Sequence, residues 1–207
     1  MKRQRNNWRV WVSKLYTCLD LKKFDEAIQA CNTLLDFKVT QSAKNVPDLE
    51  EKCIRGIVGG TLDGYRSALK DQKSDVKHSD ASVDGARRTL ARVLELLERL
   101  SSSSSEPWVF ETVAYFHSQI GNDKVVLENL MKEYRSLQTA RGWEKDDALV
   151  RKLCQVVTSI VQFQKQQGEG AKSKFLVNNV VKTVRQSRTD TSSVPPEIAE
   201  LEKLVAV

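Results

Sequence analysis

The stretch "FDEAIQACNTLLDF", residues 24–37, decides how this chain folds. Phe24, Ala27, Ile28, Cys31, Leu34 and Leu35 recur every three or four positions, the period of a helix with one apolar face. Ala27 is the informative residue. An isolated helix would accept a bulkier side chain there, whereas alanine fits where a second helix must approach closely. Just upstream, "NWRVWVSKLYTCLD" (residues 7–20) carries Trp8, Trp11, Leu15, Cys18 and Leu19 on one helical face, and the short "LKKF" turn joins the two segments. The first 37 residues therefore read as a helical hairpin.

The same pattern continues along the chain. Pro47 stands at an expected helix start, with Asp48, Glu50 and Glu51 in its first turn, and the apolar stripe runs to Leu69. A polar segment, residues 71–82, separates it from "DGARRTLARVLELLERL", which Asp84 opens. "SSSSS" (residues 101–105) reads as a connector. Further helices are expected over residues 106–120 and 124–138. A third, within "EKDDALVRKLCQVVTSIVQFQKQ", has so wide an apolar face that burial on more than one side is expected. "KFLVNNVVKTVRQS" is rich in valine, which favours strands, but Val177, Val180, Val181 and Val184 keep a helical period. A short terminal helix, "EIAELEKLVA", follows "TDTSSVPP". The expectation is an all-α chain, an irregular α-solenoid of antiparallel helix pairs over residues 1–190, with residues 191–207 as linker and terminal helix.

Composition closes off several alternatives. No apolar run reaches the ~18 residues needed to span a bilayer. Arg9 and Lys14 interrupt what would be the apolar part of a signal peptide, so a cytoplasmic or nuclear location is expected. Cys18, Cys31, Cys53 and Cys154 are far apart, with no C-x-x-C and only two histidines, His78 and His117. That spacing suits neither structural zinc nor another metal centre. No cofactor is expected. The net charge of +6 falls to +2 without Lys2, Arg3, Arg5 and Arg9, and the rest of the chain mixes both signs. A phosphate groove would cluster basic residues with interleaved aromatics, so nucleic acid is disfavoured as a partner.

Catalytic chemistry is sparse. "GIVGGTLDG" (residues 56–64) lacks the lysine and hydroxyl residue of a phosphate loop and does not follow a strand. Its glycines are read as small residues in a packed helix. His117 and Asp123 have no accompanying nucleophile. Glu95 and Glu98 beside Arg92 and Arg99 read as a solvated face. We expect no enzyme.

A tetratricopeptide repeat is a ~34-residue helix pair with the pattern W-x2-L-G-x2-Y, then A-x3-F. Its small residues let the two helices approach closely. Here Trp11, Leu15 and Cys18 take the tryptophan, glycine and tyrosine places, and Ala27 and Cys31 the A-x3-F pair, giving a first repeat over residues 8–40. Trp108, Tyr115, Val126 and Leu130 give a second over residues 106–138. Lys14 and Leu15 replace leucine and glycine, and cysteines replace two aromatics. Three pieces in order, "NNWRVWVSKLYTCLDLKKFDEAIQACNTLLD", "EPWVFETVAYFHSQIGND" and "GWEKDDALVRKLCQVV", resemble the carboxy-terminal part of the tetratricopeptide repeat protein 27 family. The resemblance implies a non-catalytic intracellular adaptor, linked to chaperone-assisted assembly of large complexes such as the spliceosome. It also implies a carboxy-terminal piece of a longer protein, with further repeats upstream as partners.

Two functions are carried forward. One is a protein-binding scaffold or co-chaperone-like adaptor taking a peptide or helix in a concave groove, with Arg9, Lys14, Tyr16, Glu111 and His117 as candidate groove residues. The other is an RNA-associated helical repeat acting through Lys2, Arg3, Arg5 and Arg9. A carboxylate clamp for a chaperone tail is disfavoured, because Lys14 is followed four residues later by Cys18 rather than asparagine.

Overall fold

A computed structural model describes residues 7–40, 46–73, 79–188 and 194–204. Among them are nine α-helices and no strand: α1 (Trp8–Asp20), α2 (Phe24–Thr40), α3 (Glu51–Lys73), α4 (Ser79–Ser103), α5 (Pro107–Gln119), α6 (Asp123–Thr139), α7 (Asp147–Gln166), α8 (Ser173–Ser187) and α9 (Pro196–Lys203). The valine-rich segment is helical, as its period implies. The chain divides between Ser104 and Ser105 into two compact units. This departs from a single array ending at residue 190, because α9 packs against α7 and α8 and belongs to the second unit.

In the first unit α2 is central, touching α1, α3 and α4. That position explains why Ala27, Ile28, Ala30, Cys31, Leu34 and Leu35 are all buried, with Ala27 at 0% exposure. The polar edge of α2 meets α4. Asp25 accepts from Thr89 Oγ1 at 3.0 Å and pairs with Arg92 at 2.9 Å, while Asn32 and Asp36 each lie 2.6 Å from Arg99. Contacts advance in the same direction along both helices, so α2 and α4 run parallel, as second helices of successive pairs do.

The glycines of α3 sit within an unbroken helix. Gly60 receives the Phe24 ring: a Cβ built at Gly60 would lie 1.9 Å from Phe24 Cζ. Gly56 meets Leu19 at an ordinary 3.9 Å. Of the glycines here, Gly60 alone is kept small by packing, since nothing lies within 4 Å of a Cβ at Gly59 or Gly64.

Three boundaries differ from the sequence reading. α3 begins at Glu51, four residues past Pro47, because Val46 and Leu49 are buried and hold the intervening segment extended. α4 starts at Ser79 rather than Asp84. It also runs into the serine tract as far as Ser103, where the Ser101, Ser102 and Ser103 hydroxyls donate to the carbonyls of Glu98 and Arg99. These are serine back-bonds to carbonyls three and four residues earlier, and the tract is partly helix and not wholly connector.

The second unit is built around α7. Val150, Leu153, Val157, Ile160 and Val161 are fully buried against a cluster that includes Tyr134, Trp143, Val177, Val180 and Ile198. Asp146 caps α7, accepting from the amides of Ala148 and Leu149 at 2.8 and 3.1 Å. Gly142 adopts φ +75°, a left-handed conformation that glycine favours, and turns the chain so that Trp143 enters the core. The Glu144 carbonyl accepts from Ser187 and Arg188, and Arg188 pairs with Asp147 at 2.8 Å. "GWEKD", the most distinctive piece of the resemblance, is thus the corner joining α6, α7 and α8.

Candidate functional site

Within the first unit Arg9 is exposed and lies over the Trp8 ring at 5.3 Å. Lys14 Nζ sits 5.1 Å from the Trp11 ring. Tyr16 bridges to the start of α3: its hydroxyl donates to Glu50 Oε1 at 2.5 Å, and Lys52 holds the other Glu50 oxygen at 2.8 Å. The hydrogen bond it donates to the Glu50 carboxylate holds the Tyr16 phenol well above its usual range, because ionising the phenol would remove the donated proton. Lys52 and Tyr16 in turn hold Glu50 below the usual carboxylate range. Tyr16 is therefore committed to joining α1 to the α3 entrance.

Of the two candidates of the second unit, Glu111 is half-buried and taken up by an ion pair, and His117 is buried. Glu111 of α5 accepts from Lys152 of α7 at 2.7 Å, and Lys152 also lies 3.4 Å from Glu133 of α6. Glu133 is 1% exposed. Three helices thus meet at one ionic node, with the single ammonium between two carboxylates. His117 is 6% exposed, its ring edge-on to Phe116 with centroids 6.1 Å apart. Neither Glu111 nor His117 lines an open groove, contrary to the expectation from α5.

The second repeat register also needs correction. Tyr115 is 47% exposed, while Phe116 is fully buried. Trp108 is half-buried, and Val109 and Phe110 are buried. The packed stripe of α5 is shifted by one residue, about 100° around a helix, from the Trp108/Tyr115 line. Val126 is buried, and Leu130 packs partly buried against the core. In the first pair Leu15, Cys18, Ala27 and Cys31 are buried and Trp11 is half-buried. Burial pushes the Cys31 thiol up to about 12 and the Cys154 thiol up to about 11.

Sequence reasoning missed a cleft of about 820 Å³ in the second unit, along α6 and the end of α7. Leu127 and Met131 of α6 and Phe163 of α7 line it, with Lys124, Lys132 and Arg135 along the same helix. Leu127 and Met131 belong to the apolar stripe of α6 and read as core. The available signal was the width of that stripe, which exceeds what one packed face needs. A smaller cleft of about 380 Å³ lies in the first unit, beside Phe24, Gly60 and Tyr65. The acids there are engaged, Asp25 by Arg92 and Glu26 by Lys23. Among the described residues no group of three or more His, Cys, Asp or Glu is placed to hold a metal, and no helix is long and apolar enough to cross a membrane.

The class defined by this architecture is an all-α helical-repeat protein of paired helices. Over 195 residues, 92% of its length, the chain is 23% identical to a tetratricopeptide repeat protein 27 homolog of Dictyostelium discoideum. It spans 20% of that protein. No family model matches the chain. The similarity supports a tetratricopeptide-repeat-like protein at most.

Proposed function

We propose that this chain is a non-catalytic protein-interaction scaffold, an adaptor in the assembly of a large cytoplasmic or nuclear complex. The observation that carries this reading is the α6–α7 cleft, an apolar trough edged by exposed charge on an otherwise well-packed helical unit. Ionisable residues of the kind used in acid–base chemistry are taken up by packing: Glu111, Glu133 and Lys152 in the node, His117 against Phe116. The similarity to a tetratricopeptide repeat protein supports the same reading, and a co-chaperone or spliceosomal setting is its finer form.

The test is affinity purification from cell extract with this chain as bait, at 0.1 and 0.5 M salt, with and without nuclease. Protein partners that survive both treatments are expected. Recovery abolished by nuclease would instead favour the RNA-associated reading, because phosphate contacts weaken steeply with salt. Lys2, Arg3 and Arg5, on which that reading depends, lie outside the described residues.

A further inference from the structure

We propose that the α6–α7 cleft of the second unit docks an acidic amphipathic helix of a partner protein. This deepens the scaffold reading and rests on it. From Lys124 to Arg135 the cleft follows α6 for eleven residues, about 17 Å at 1.5 Å per residue. That is three turns, the length over which a partner helix presents anchors at i, i+3/i+4 and i+7. A volume of about 820 Å³ takes the side chains of one helical face rather than a whole helix. The floor consists of Leu127, Met131 and Phe163, half-buried residues that leave part of their surface open. Methionine, unbranched and polarisable, adapts to differently shaped anchors.

Charge selects the partner. Lys124, Lys132 and Arg135 are exposed and make no hydrogen bond or ion pair among the described residues. The carboxylates at the end of the cleft are already engaged: Asp123 accepts from Gln167 Nε2 at 3.1 Å, and Glu169 pairs with Lys172 at 2.7 Å. Among the described residues lining the cleft, Glu128 is the one carboxylate without such a contact. With Glu169 paired to Lys172, Lys124, Lys132 and Arg135 face Asp123 and Glu128, so the cations are in excess by one, and carboxylates on a helix lying along Lys132 and Arg135 would complement them. Nucleic acid suits the cleft less well. Its floor is Leu127 and Met131 with Phe163 as the one aromatic, whereas base stacking needs a row of aromatic side chains.

The probe is a phage-displayed library of random 16-residue peptides, selected against the full chain. Binding of the enriched peptides is then measured by fluorescence polarisation. Enriched sequences should carry apolar residues at helical spacing with Asp or Glu on the flanks, and a proline placed mid-sequence should abolish binding. Lys132→Glu with Arg135→Glu changes only exposed side chains, so it should leave the circular dichroism spectrum and melting temperature unchanged. It should weaken the acidic peptides at least fivefold. No enrichment, enrichment of basic or charge-indifferent peptides, or a loss under fivefold would overturn the assignment. So would single-stranded RNA binding that the double reversal removes. The same variant used as bait separates this assignment from the scaffold reading. Salt-resistant partners kept by the reversed chain would sink the groove and spare the scaffold, whereas wild-type bait that recovers none would sink the scaffold.

Discussion

Substituting Gly60 tests the closest inter-helix contact in the first unit. A methyl group at Gly60 would lie 1.9 Å from Phe24 Cζ and 2.5 Å from both Cε atoms. Carbon atoms rest at about 3.5–4.0 Å, so the ring or the helix must yield by about 1.5 Å. Overpacking of this kind costs about 1–3 kcal/mol. Against it, alanine is a better helix former than glycine by up to about 1 kcal/mol. Gly60→Ala should therefore destabilise the unit by about 1–2 kcal/mol. Gly59 and Gly64 provide the control on the same helix. Nothing lies within 4 Å of a Cβ at either, so Ala there should stabilise by about 0.5–1 kcal/mol. The assay is native-state hydrogen exchange of α2 and α3 amides, which reports opening of this unit separately from the other. Phe24→Ala removes the obstacle, and in that background Gly60→Ala should turn stabilising. If Gly60→Ala matched Gly59→Ala in the wild-type chain, the ring would be swinging aside at no cost, and Phe24 would not be holding α3.

Ala27→Trp should unfold the first hairpin, because Ala27 is fully buried and gross overpacking costs at least ~3 kcal/mol; unchanged thermal melting would show the alanine is not a packing site. Lys152→Ala should remove the ammonium that faces both Glu111 and Glu133, the latter at 1% exposure, and cost about 2 kcal/mol in denaturant unfolding. That is less than the ~3–5 kcal/mol of a fully buried pair, since the Lys152 side chain is 32% exposed. Adding Glu133→Gln should recover part of the loss. Raised thiol pKa values make a pH prediction with a definite sign. Folding keeps Cys31 and Cys154 protonated above the pH at which the unfolded chain releases those protons. Their stabilising contribution is therefore complete below about pH 9 and is lost between there and about pH 11–12. Urea midpoints should fall over that range, and Cys31→Ala should flatten the profile. All four cysteines are buried, so a maleimide at pH 8 should label them only after unfolding.

The helix class and most helix positions were legible because a 3.6-residue apolar period survives irregular repeats. Even the valines of α8 obeyed it, since Val177, Val180 and Val184 face one core. Ends were harder to read. Pro47 has the look of a helix start, but burial of Val46 and Leu49 delays the helix to Glu51, and that burial is tertiary. Register in α5 failed for a related reason. A helix buried over most of its circumference offers several stripes, and the Trp108/Tyr115 spacing picked the more exposed one. Candidate groove residues were chosen by polarity on helix faces. Polarity alone does not separate a charge awaiting a partner from one already answered, as Glu111 is by Lys152 forty-one residues away.

That distinction also locates where binding can occur. α2 and α7 are the most heavily packed helices of their units. Each touches three or more neighbouring elements and keeps little free surface. A partner reaching α2, or α7 beyond the Phe163 end that opens into the cleft, would have to displace core, at about 25 cal/mol for each Å² of apolar surface re-exposed. Recognition is cheaper on the flanking helices, whose outer faces carry charges that packing leaves unanswered. In the first unit two of the basic residues of α4, Arg92 and Arg99, are paired with α2. In the second unit α6 is different. Its inner face joins the core through Tyr134 and Leu137, while Lys124, Lys132 and Arg135 point to no internal acid. The half-buried Leu127 and Met131 between them are packed on one side only. A helix stable without those charges, yet carrying them in a row beside open apolar surface, has the composition of a docking face.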